Sequence, residues 1–391
     1  MKVLQTADNH LGETAYSKID PATGLNARSL DFLNSFKNIL NIATEEQVEV
    51  LLVVGDFFTR VNPHPRLLLE VMRGLKKLSK ENITTIFVSG NHETPKLIST
   101  VNPLCLLEQI DNVHVILEPT TIKVGDTDFV CVPAPTFFDE VKDVFDSAIQ
   151  KALANSKSES KVLAAHVPLG QACASSERTL ESFIGECVDV NQIPKKFVHV
   201  ALGHMHKFQQ FDQGEMPIVY SGSSERCEWG EEHDDKFAVL LEIEDKAIIT
   251  RVKLPARNMV TIVDQNCSGL SAFKINKIVL EGIENSQEKI EDSLVRIKLD
   301  NIAIDEYRLI DWKAIKQNLN ENGVFDFKLQ PQTTISLPTQ AGPTGEYIFP
   351  PAKELELYVR GRKEYKRTAT ELVRQGNEII EEAREMAQSE T

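Results

Sequence analysis

Short apolar runs, rich in β-branched residues and leucine, recur along the first 255 residues, and each has the length of a single strand. The predicted strands are Lys2–Thr6, Val50–Val54, Thr84–Ser89, Phe129–Val132, Lys161–Ala165, Val198–Leu202, Ile218–Tyr220 and Phe237–Glu242. Apolar residues at helical spacing occupy two of the intervals, from Leu33 to Ala43 and from Leu68 to Leu78. Strands that alternate with helices, followed by hairpin-like strands, predict an α/β domain with a layered sheet core.

Residues 258–335 are predicted to form a smaller mixed unit. It has two strand-like stretches, Lys277–Glu281 and Leu294–Leu299, and a polar helix candidate at Asp311–Leu319. The proline-rich stretch 336–351 then indicates a semi-extended linker.

The last segment, 352–391, is predicted to be a charged helical tail. Large apolar residues recur there every seven positions, and small residues follow four positions after the first three: Tyr365, Leu372, Ile379 and Met386, with Ala369, Gly376 and Ala383. Such a seam lets another helix approach closely. The helix either packs on its own domain or docks on a partner, and its place after a linker favours a partner.

Composition narrows the functional classes. The 391 residues suggest two or three domains, and 41% hydrophobic and 26% charged residues are ordinary for a globular protein. A net charge of −15 argues against a general basic face, so any contact with nucleic acid must be local or metal-assisted. The start lacks a signal peptide, no apolar run is long enough to span a membrane, and the six cysteines lack CxxC pairing. We therefore expect a cytoplasmic protein with reduced thiols.

The strongest chemical signal is a set of polar residues that directly follow strands. All nine histidines lie before residue 234. Because ligands gather beyond the carboxyl ends of strands in open α/β sheets, these segments are expected to converge on one cleft. Two pairs with a spacing of two residues would each lie on one face of an extended segment. The candidate metal ligands are Asp8, His10, Asp56, Asn91, His166, His204 and His206.

Seven ligands exceed the needs of one tetrahedral zinc ion and suit two ions such as Mn²⁺ or Fe²⁺. Ions roughly 3.5–4 Å apart need a shared negative ligand. Asp56, which follows the most apolar strand, is the best candidate. Each residue alone has a plain structural explanation, as a turn or a hydrogen-bonded core histidine, but the ordered set does not.

The order D-x-H, GD, GNHE, H and GHxH resembles the calcineurin-like binuclear metallophosphoesterases. The segments TADNHLG, SGNHETP, ALGHMHK and YSGSSER, and the apolar helix Pro103–Leu107, are similar to the SbcD-type nucleases. That family provides the nuclease subunit of a DNA double-strand-break repair complex. The resemblance is specific over residues 1–255, extends to architecture alone across 258–335, and returns in the tail.

The resemblance implies a layered αββα nuclease domain at 1–255, a small α+β DNA-capping domain at 258–335, a linker at 336–351 and an ATPase-binding helical tail at 352–391. It implies two Mn²⁺ ions, with Fe or Mg as alternatives in the cell. Asp8, His10, Asp56 and His206 would bind the first ion. Asp56, Asn91, His166 and His204 would bind the second.

The resemblance also gives a catalytic role to His92, which would contact the scissile phosphate, while Glu93 would support the loop. One position departs from the family pattern. Many members have a histidine three residues after the bridging aspartate, associated with exonuclease action, where this chain has Thr59. Thr59 cannot act as a general acid, so the strength and the polarity of exonuclease action stay open. His64 either replaces that histidine or is an ordinary loop residue.

Three further surfaces follow from local charge and from the resemblance. A basic segment after the second metal loop, including Arg60, Arg66, Lys76 and Lys77, is either a DNA contact or a solvated helix face. A homodimer is implied through Leu68, Leu104 and Leu107. An SMC-like ABC ATPase partner is implied on a stripe formed by Leu355, Val359, Leu372 and Ile379.

The expected function is a manganese-dependent DNA endo- and exonuclease at the nucleoid of a prokaryote. One alternative is a phosphodiesterase of small substrates, which would give no role to the capping segment and tail. Another is a scaffold that dimerises and regulates the ATPase with weak nuclease activity. Thr59 keeps the scaffold as an open alternative, and the complete ligand set argues against loss of metal binding.

Overall fold

The computed structural model describes residues 1–97, 99–136, 141–170, 172, 187–334, 352, 355–356, 359 and 368–389. The chain divides into two units: one comprises 1–265, 273–299 and 311–331, and the other comprises 266–272, 300–310 and 332–391. The predicted linker, 336–351, lies outside the described residues. The domain boundaries predicted from the sequence stay predictions.

The strands are β1 (Lys2–Thr6), β2 (Val50–Val54), β3 (Thr84–Val88), β4 (Val113–Ile116), β5 (Thr120–Val124), β6 (Thr127–Val132), β7 (Ser160–His166), β8 (His199–Gly203), β9 (Gln209–Gln213), β10 (Met216–Tyr220), β11 (Lys236–Ile243), β12 (Ala247–Leu254), β13 (Met259–Asn266), β14 (Leu294–Ala303) and β15 (Asp326–Thr334). The helices are α1 (Ala27–Glu45), α2 (Pro65–Lys80), α3 (Val141–Leu153), α4 (Ala272–Glu284), α5 (Gln287–Ile290), α6 (Ile304–Leu309), α7 (Trp312–Glu321) and α8 (Ala369–Ser389). The apolar segment Pro103–Gln109 is a 3₁₀ helix.

The first unit contains two six-stranded sheets. The first sheet has the order β12-β11-β1-β2-β3-β4, and the second has the order β5-β6-β7-β8-β10-β9. Their inner faces share one core, in which Val3 and Val54 pack with Phe129 and Ala164. Helices α1 and α2 cover the outer face of the first sheet, and α3 covers that of the second. The layered αββα prediction is confirmed.

Alternation along the strands explains this layering. In β2 every residue is buried, yet Val50, Leu52 and Val54 face the second sheet while Leu51 and Val53 face the helices. A strand with both faces covered reads as a continuous apolar run, as its sequence does. Parallel pairing of β1, β2 and β3 brings their carboxyl ends to one edge.

The third sheet has the order β13-β14-β15. Here the predicted strand at Lys277–Glu281 is wrong, because these residues lie in α4. Ile275, Val279 and Ile283 are fully buried at a spacing of four residues. Burial of one helical face thus outweighs the strand preference of the β-branched residues.

In the second unit, α8 forms most of the described part of the tail. The Leu355 side chain lies where a Cβ atom on Gly376 would clash with it, so the small residue receives a large one, as the seam predicts. Val359 is buried, whereas Leu372 and Ile379 are 37% and 66% exposed. Within the described ranges, no helix combines the length and apolarity needed to cross a membrane.

Candidate metal centre

Both sheets contribute residues to one edge of the αββα core. The loops after β1, β2 and β3 carry Asp8 with His10, Asp56, and Asn91, respectively. In the second sheet, His166 ends β7, and the pair His204 and His206 follows β8. The structure therefore brings all seven predicted ligands to the same edge, as strand-end placement predicts.

The backbone at these loops is not extended, which corrects the prediction for the two spaced pairs. Asp8, His10 and Asp56 have φ values of 49°, 44° and 46°, and His204 has a φ of 99°. Such conformations cost of order 1–3 kcal/mol in residues other than glycine and persist where surrounding contacts impose them. Here Asp8 N donates to Gly55 O at 3.0 Å, and His10 N donates to Asp56 O at 3.0 Å.

One group of ligands, which we call subsite one, centres on His10 and His206. Their Nε2 atoms are 3.1 Å apart. Burial lowers the pKa of His10 to about 3. Burial also opposes charge on His206, but Cys227 and Glu231 outweigh it and hold the pKa of His206 well above its usual range. The direct contact is from His206 Nδ1 to Glu231 Oε1, at 2.8 Å.

A second group, subsite two, centres on His166. Its Nε2 lies 3.1 Å from Asn91 Oδ1 and 3.4 Å from Asp56 Oδ2. Its Nδ1 lies 3.0 Å from the Val54 carbonyl, which can only accept, so Nδ1 carries the proton and Nε2 is directed at the ligands. The His204 ring meets the His166 ring edge-on at 5.4 Å, and burial lowers the pKa of His204 to about 3.

Asp56 belongs to both groups. Its carboxylate lies within 4.8 Å of ligand atoms of His10 and His92 on one side, and of His166 and His204 on the other. Burial disfavours its charge, but the neighbouring histidines, His166 first, hold the pKa of Asp56 well below its usual range. The carboxylate is therefore an anion between the two groups, as a bridging ligand must be.

Asp8 occupies a different environment. Its two carboxylate oxygens accept from His204 N at 3.1 and 3.0 Å. Burial raises the pKa of Asp8 to about 6, so the charged form of this buried carboxylate is one that a nearby cation would stabilise.

The geometry fits two divalent ions. Imidazole nitrogens bound to one ion at about 2.0–2.1 Å must lie about 3–3.5 Å apart. The nitrogens of His10 and His206 meet that requirement. Carboxylate, imidazole and carboxamide donors together suit Mn²⁺ or Fe²⁺. Asp56 is placed where it would provide the shared negative ligand that two adjacent ions need.

His92 differs from the ligands in its exposure. Its side chain is 43% exposed, whereas that of Asp56 is 3% exposed. His92 N donates to Asp56 Oδ1 at 2.9 Å, and its ring Nδ1 lies 3.1 Å from the Thr59 carbonyl. The close approach of this loop requires Gly90, where a Cβ would lie 2.0 Å from Asp56 N. His92 thus stands at the rim, with its Nε2 3.9 Å from Asp56 Oδ2.

Thr59 connects two of these loops. The Thr59 hydroxyl donates to the His10 carbonyl at 2.7 Å, and the Thr59 carbonyl accepts from His92 Nδ1. His64 is the N-cap of α2, where its ring Nδ1 accepts from Arg66 N at 3.2 Å. The described contacts of His64 are those of a cap, in agreement with the ordinary loop residue among the two alternatives.

Two residues behind the candidate ligands, Glu231 and Lys236, were missed by sequence reasoning. Glu231 is fully buried and contacts His206, Lys236 and Ser223. Burial opposes its charge, but His206 and Lys236 keep the pKa of Glu231 well below its usual range. Neither residue belongs to a motif, so only the folded arrangement reveals this support. Glu93, also fully buried, accepts from Gly90 N at 2.8 Å and so supports its own loop.

The basic residues predicted to contact DNA lie in two separate places. Arg60 is exposed and adjoins Thr59 at the metal edge. Helix α2 runs back along the sheet from Arg66, so Lys76 lies about 15 Å further along its axis. Lys76 and Lys77 are therefore at the far end of α2, and their role as DNA contacts stays a prediction.

Two of the three predicted dimer residues are fully buried, which corrects their prediction as contacts between two copies of the chain. Leu104 and Leu107 are fully buried in the core beneath α2, and Leu68 is partly buried against it. Their packing leaves Leu69 and Leu106 exposed, at 47% and 50%. In the tail, Val359 is buried and the partly buried Leu355 packs on Gly376, and the stripe as an ATPase-binding surface stays a prediction.

Comparison with known proteins places this arrangement in a family. Residues 1–208 match the family described as calcineurin-like phosphoesterase. The DNA double-strand break repair protein Mre11 of Sulfurisphaera tokodaii is 25% identical over 86% of this chain and 86% of its own length. Mre11 of Methanocaldococcus jannaschii is 32% identical over 58% of this chain and 57% of its own.

The SbcD component of the SbcCD nuclease of Bacillus subtilis is 29% identical over 57% of this chain and 61% of its own length. The resemblance to SbcD-type proteins is therefore confirmed at the level of sequence similarity. Since the matching family model covers more than half of the chain and the αββα core agrees with it, the chain belongs to the calcineurin-like phosphoesterase family.

Proposed function

We propose that this protein is a manganese-dependent DNA endo- and exonuclease, the catalytic subunit of a double-strand-break repair complex with an SMC-like ABC ATPase. The observation that carries the proposal is an exposed histidine, His92, beside a buried cluster of ligands that share Asp56. The names of the similar proteins, which describe double-strand-break repair and a nuclease subunit, supply the substrate class.

The proposed ligand sets are those that the resemblance to the binuclear metallophosphoesterases implies. Asp8, His10, Asp56 and His206 would hold one ion; Asp56, Asn91, His166 and His204 would hold the other. Two bound ions supply Lewis-acid stabilisation of the phosphate and of the attacking and leaving oxygens.

The role of His92 follows from its hydrogen bond. Because the Thr59 carbonyl can only accept, the His92 Nδ1 carries a proton and the ring is fixed with Nε2 directed at the subsites. When Nε2 is protonated as well, the ring is a cation, and in that form His92 can donate to a phosphate oxygen from the rim and stabilise charge that develops on it. Its exposure leaves room for that contact, which a buried ligand would not have.

DNA would approach over the metal edge. Arg60 is exposed and directly follows Thr59, whose carbonyl contacts His92, and Arg66 lies in the first turn of α2. With a net charge of −15, such contacts have to be local. The segment 258–335 would cap the DNA. Thr59 in place of histidine is expected to leave endonuclease activity stronger than exonuclease activity.

Assembly is part of the proposal. A homodimer would use the exposed Leu69 and Leu106 rather than the buried Leu104 and Leu107. The ATPase would dock on the exposed Leu372 and Ile379 of α8. We expect removal of residues 352–391 to abolish co-elution with the ATPase. The substrate would place the complex at the nucleoid in the cytoplasm of a prokaryote.

The two alternatives make different predictions. A phosphodiesterase of small substrates would act without DNA, and the family match alone is compatible with it. A scaffold with weak nuclease activity would bind ions and partner but cut poorly, and Thr59 is the residue that favours it.

The test is Mn²⁺-dependent cleavage of circular single-stranded DNA, 3′-recessed duplex and blunt duplex. We would compare wild type with His92→Gln, His204→Ala and, as a matched control, His114→Gln on the edge strand β4. Loss of general-acid or charge contacts typically costs 10²–10⁴-fold, so we expect about that loss for His92→Gln with both ions still bound. His114→Gln should retain activity.

The ion content of each variant, measured by mass spectrometry, completes the test. Loss of ions in His92→Gln would show that His92 is a ligand. Hydrolysis of bis(p-nitrophenyl) phosphate without cleavage of any DNA would favour the small-substrate enzyme. Two bound ions with no hydrolysis at all would favour the scaffold.

A further inference from the structure

Cys227 lies beside subsite one. Its sulfur is within 4.8 Å of a ring nitrogen of His10 and of a ring nitrogen of His206. Cys227 is partly buried and forms no disulfide. Among the described cysteines, Cys227 is the one that joins such a group of potential metal ligands.

The loop after β10 holds this thiol in place. Cys227 N donates to Glu231 Oε2 at 3.2 Å, and its Sγ lies 3.6 Å from the Glu225 carbonyl. The other oxygen of Glu231 contacts His206 Nδ1 at 2.8 Å. One buried carboxylate therefore positions both the imidazole of His206 and the backbone of Cys227.

The sulfur makes the two subsites chemically unequal. Subsite two offers an amide oxygen from Asn91, two imidazoles and the shared carboxylate of Asp56. Subsite one offers two imidazoles and, in the proposed ligand set, the carboxylates of Asp8 and Asp56, with a thiol next to the imidazoles. Sulfur and imidazole donors together are typical of Zn²⁺ sites, whereas oxygen-rich sets suit Mn²⁺.

We propose that Cys227 is an additional ligand of subsite one, which binds Zn²⁺ or Co²⁺ through its sulfur and so favours these ions over Mn²⁺. This rests on the binuclear site of the proposed function. On ligation the S–H bond gives way to a sulfur–metal bond, and the proton passes to the buffer. The ion bound at subsite one would then depend on which metal is available.

The experiment uses Co²⁺ as a spectroscopic probe on the full metal-free chain. Sulfur bound to Co²⁺ gives a near-ultraviolet charge-transfer band, and the visible ligand-field bands report Co²⁺ held by any donors. We compare wild type, Cys227→Ser, Cys227→Ala and the matched control Cys105→Ser, since Cys105 is also partly buried. We expect the charge-transfer band in wild type and Cys105→Ser and its absence in both Cys227 variants.

Competition between Zn²⁺ and Mn²⁺ measures how much Cys227 changes the metal preference of subsite one. Because loss even of groups behind a ligand costs 10–100-fold in metal affinity, we expect Cys227→Ser to lower the preference for Zn²⁺ at least about tenfold. A second measurement uses the wild-type protein alone, so its result does not depend on how the variants fold. Bound Zn²⁺ should slow alkylation of Cys227 by iodoacetamide, detected by peptide mass spectrometry, and leave Cys105 unchanged.

The outcomes separate the two proposals. Ligand-field bands without a charge-transfer band, and equal alkylation with and without Zn²⁺, would overturn the role of Cys227 and leave the binuclear site standing. Absence of all Co²⁺ bands in wild type would overturn the binuclear site itself.

Discussion

The two subsites present the same kind of ligand in different ways. In subsite one, His206 is held from behind by the buried charge of Glu231, which also pairs with Lys236. In subsite two, His166 is held by the main-chain carbonyl of Val54 at the end of β2. One imidazole is therefore oriented by side chains that a mutation can remove, and the other by the fold itself. The difference shows that side chains orient the candidate ligand of one subsite, whereas the strand topology orients that of the other.

The largest expected effect comes from removing what the subsites share. Asp56→Asn takes away the bridging charge, so we expect loss of both ions and a fall of at least about a thousandfold in hydrolysis, because each ion supplies several kcal/mol. Ion content and Mn²⁺-dependent activity are measured together. The control is Asp212→Asn, which removes an exposed carboxylate on β9. Retention of one ion in Asp56→Asn would mean that the subsites are independent.

The next effect is on stability and applies to subsite one alone. In the metal-free protein, Glu231→Gln leaves the buried charge of Lys236 unpaired, a change that costs about 3–5 kcal/mol near neutral pH. Since the pKa of Glu231 lies below its ordinary 4.5, its stabilisation exists above that pH and is lost as pH falls. His206, whose pKa lies above 6.5, contributes below that pH and loses its contribution as pH rises.

Urea unfolding of wild type and Glu231→Gln from pH 3 to 8 tests both directions of pH dependence, the loss of the Glu231 contribution as pH falls and the loss of the His206 contribution as pH rises. The difference in the free energy of unfolding should be largest between the two ordinary values, 4.5 and 6.5. A difference that does not change with pH would show that Glu231 is not a charged partner.

A smaller effect is expected on metal affinity. Glu231→Gln should weaken binding at subsite one 10–100-fold, as loss of the group behind a ligand does, and leave subsite two unchanged. Calorimetric titration resolves the two events. The matched control is Glu232→Gln, since the neighbouring carboxylate contacts Thr261 and Arg296 instead of a ligand. Equal weakening at both subsites would contradict the comparison.

The smallest effect concerns the link between the loops. Thr59→Val removes the hydroxyl that donates to the His10 carbonyl, a hydrogen bond worth about 1 kcal/mol. We expect a loss of up to about tenfold in kcat, and Thr59→Ser should restore it because it keeps the donor. Equal activity of the three proteins would show that this bond does not affect the position of His10 or His92.

Sequence patterns predicted the features that follow from hydrophobic periodicity and from polar residues at the ends of strands. Buried strands such as β2 and candidate ligands such as Asp56 were found because an apolar run followed by a polar residue is a local signal. Contacts between distant segments gave no such signal. Glu231 follows no recognisable motif, yet it supports His206. Amphipathic spacing likewise cannot distinguish a face that meets solvent from one that meets the core, which explains the error at Leu104 and Leu107.

The loops that form the metal centre are far apart in the chain. Asp8 accepts from His204, 196 residues away, and His206 depends on Glu231 and, through it, on Lys236. During synthesis, a nascent chain that has not yet exposed residue 236 outside the ribosome lacks the last support of subsite one. Catalytic competence therefore arrives late in translation, after both sheets are available to pack, and truncated products of early termination carry an incomplete centre. For an enzyme proposed to cut DNA, this order of assembly limits the damage that unfinished chains can do.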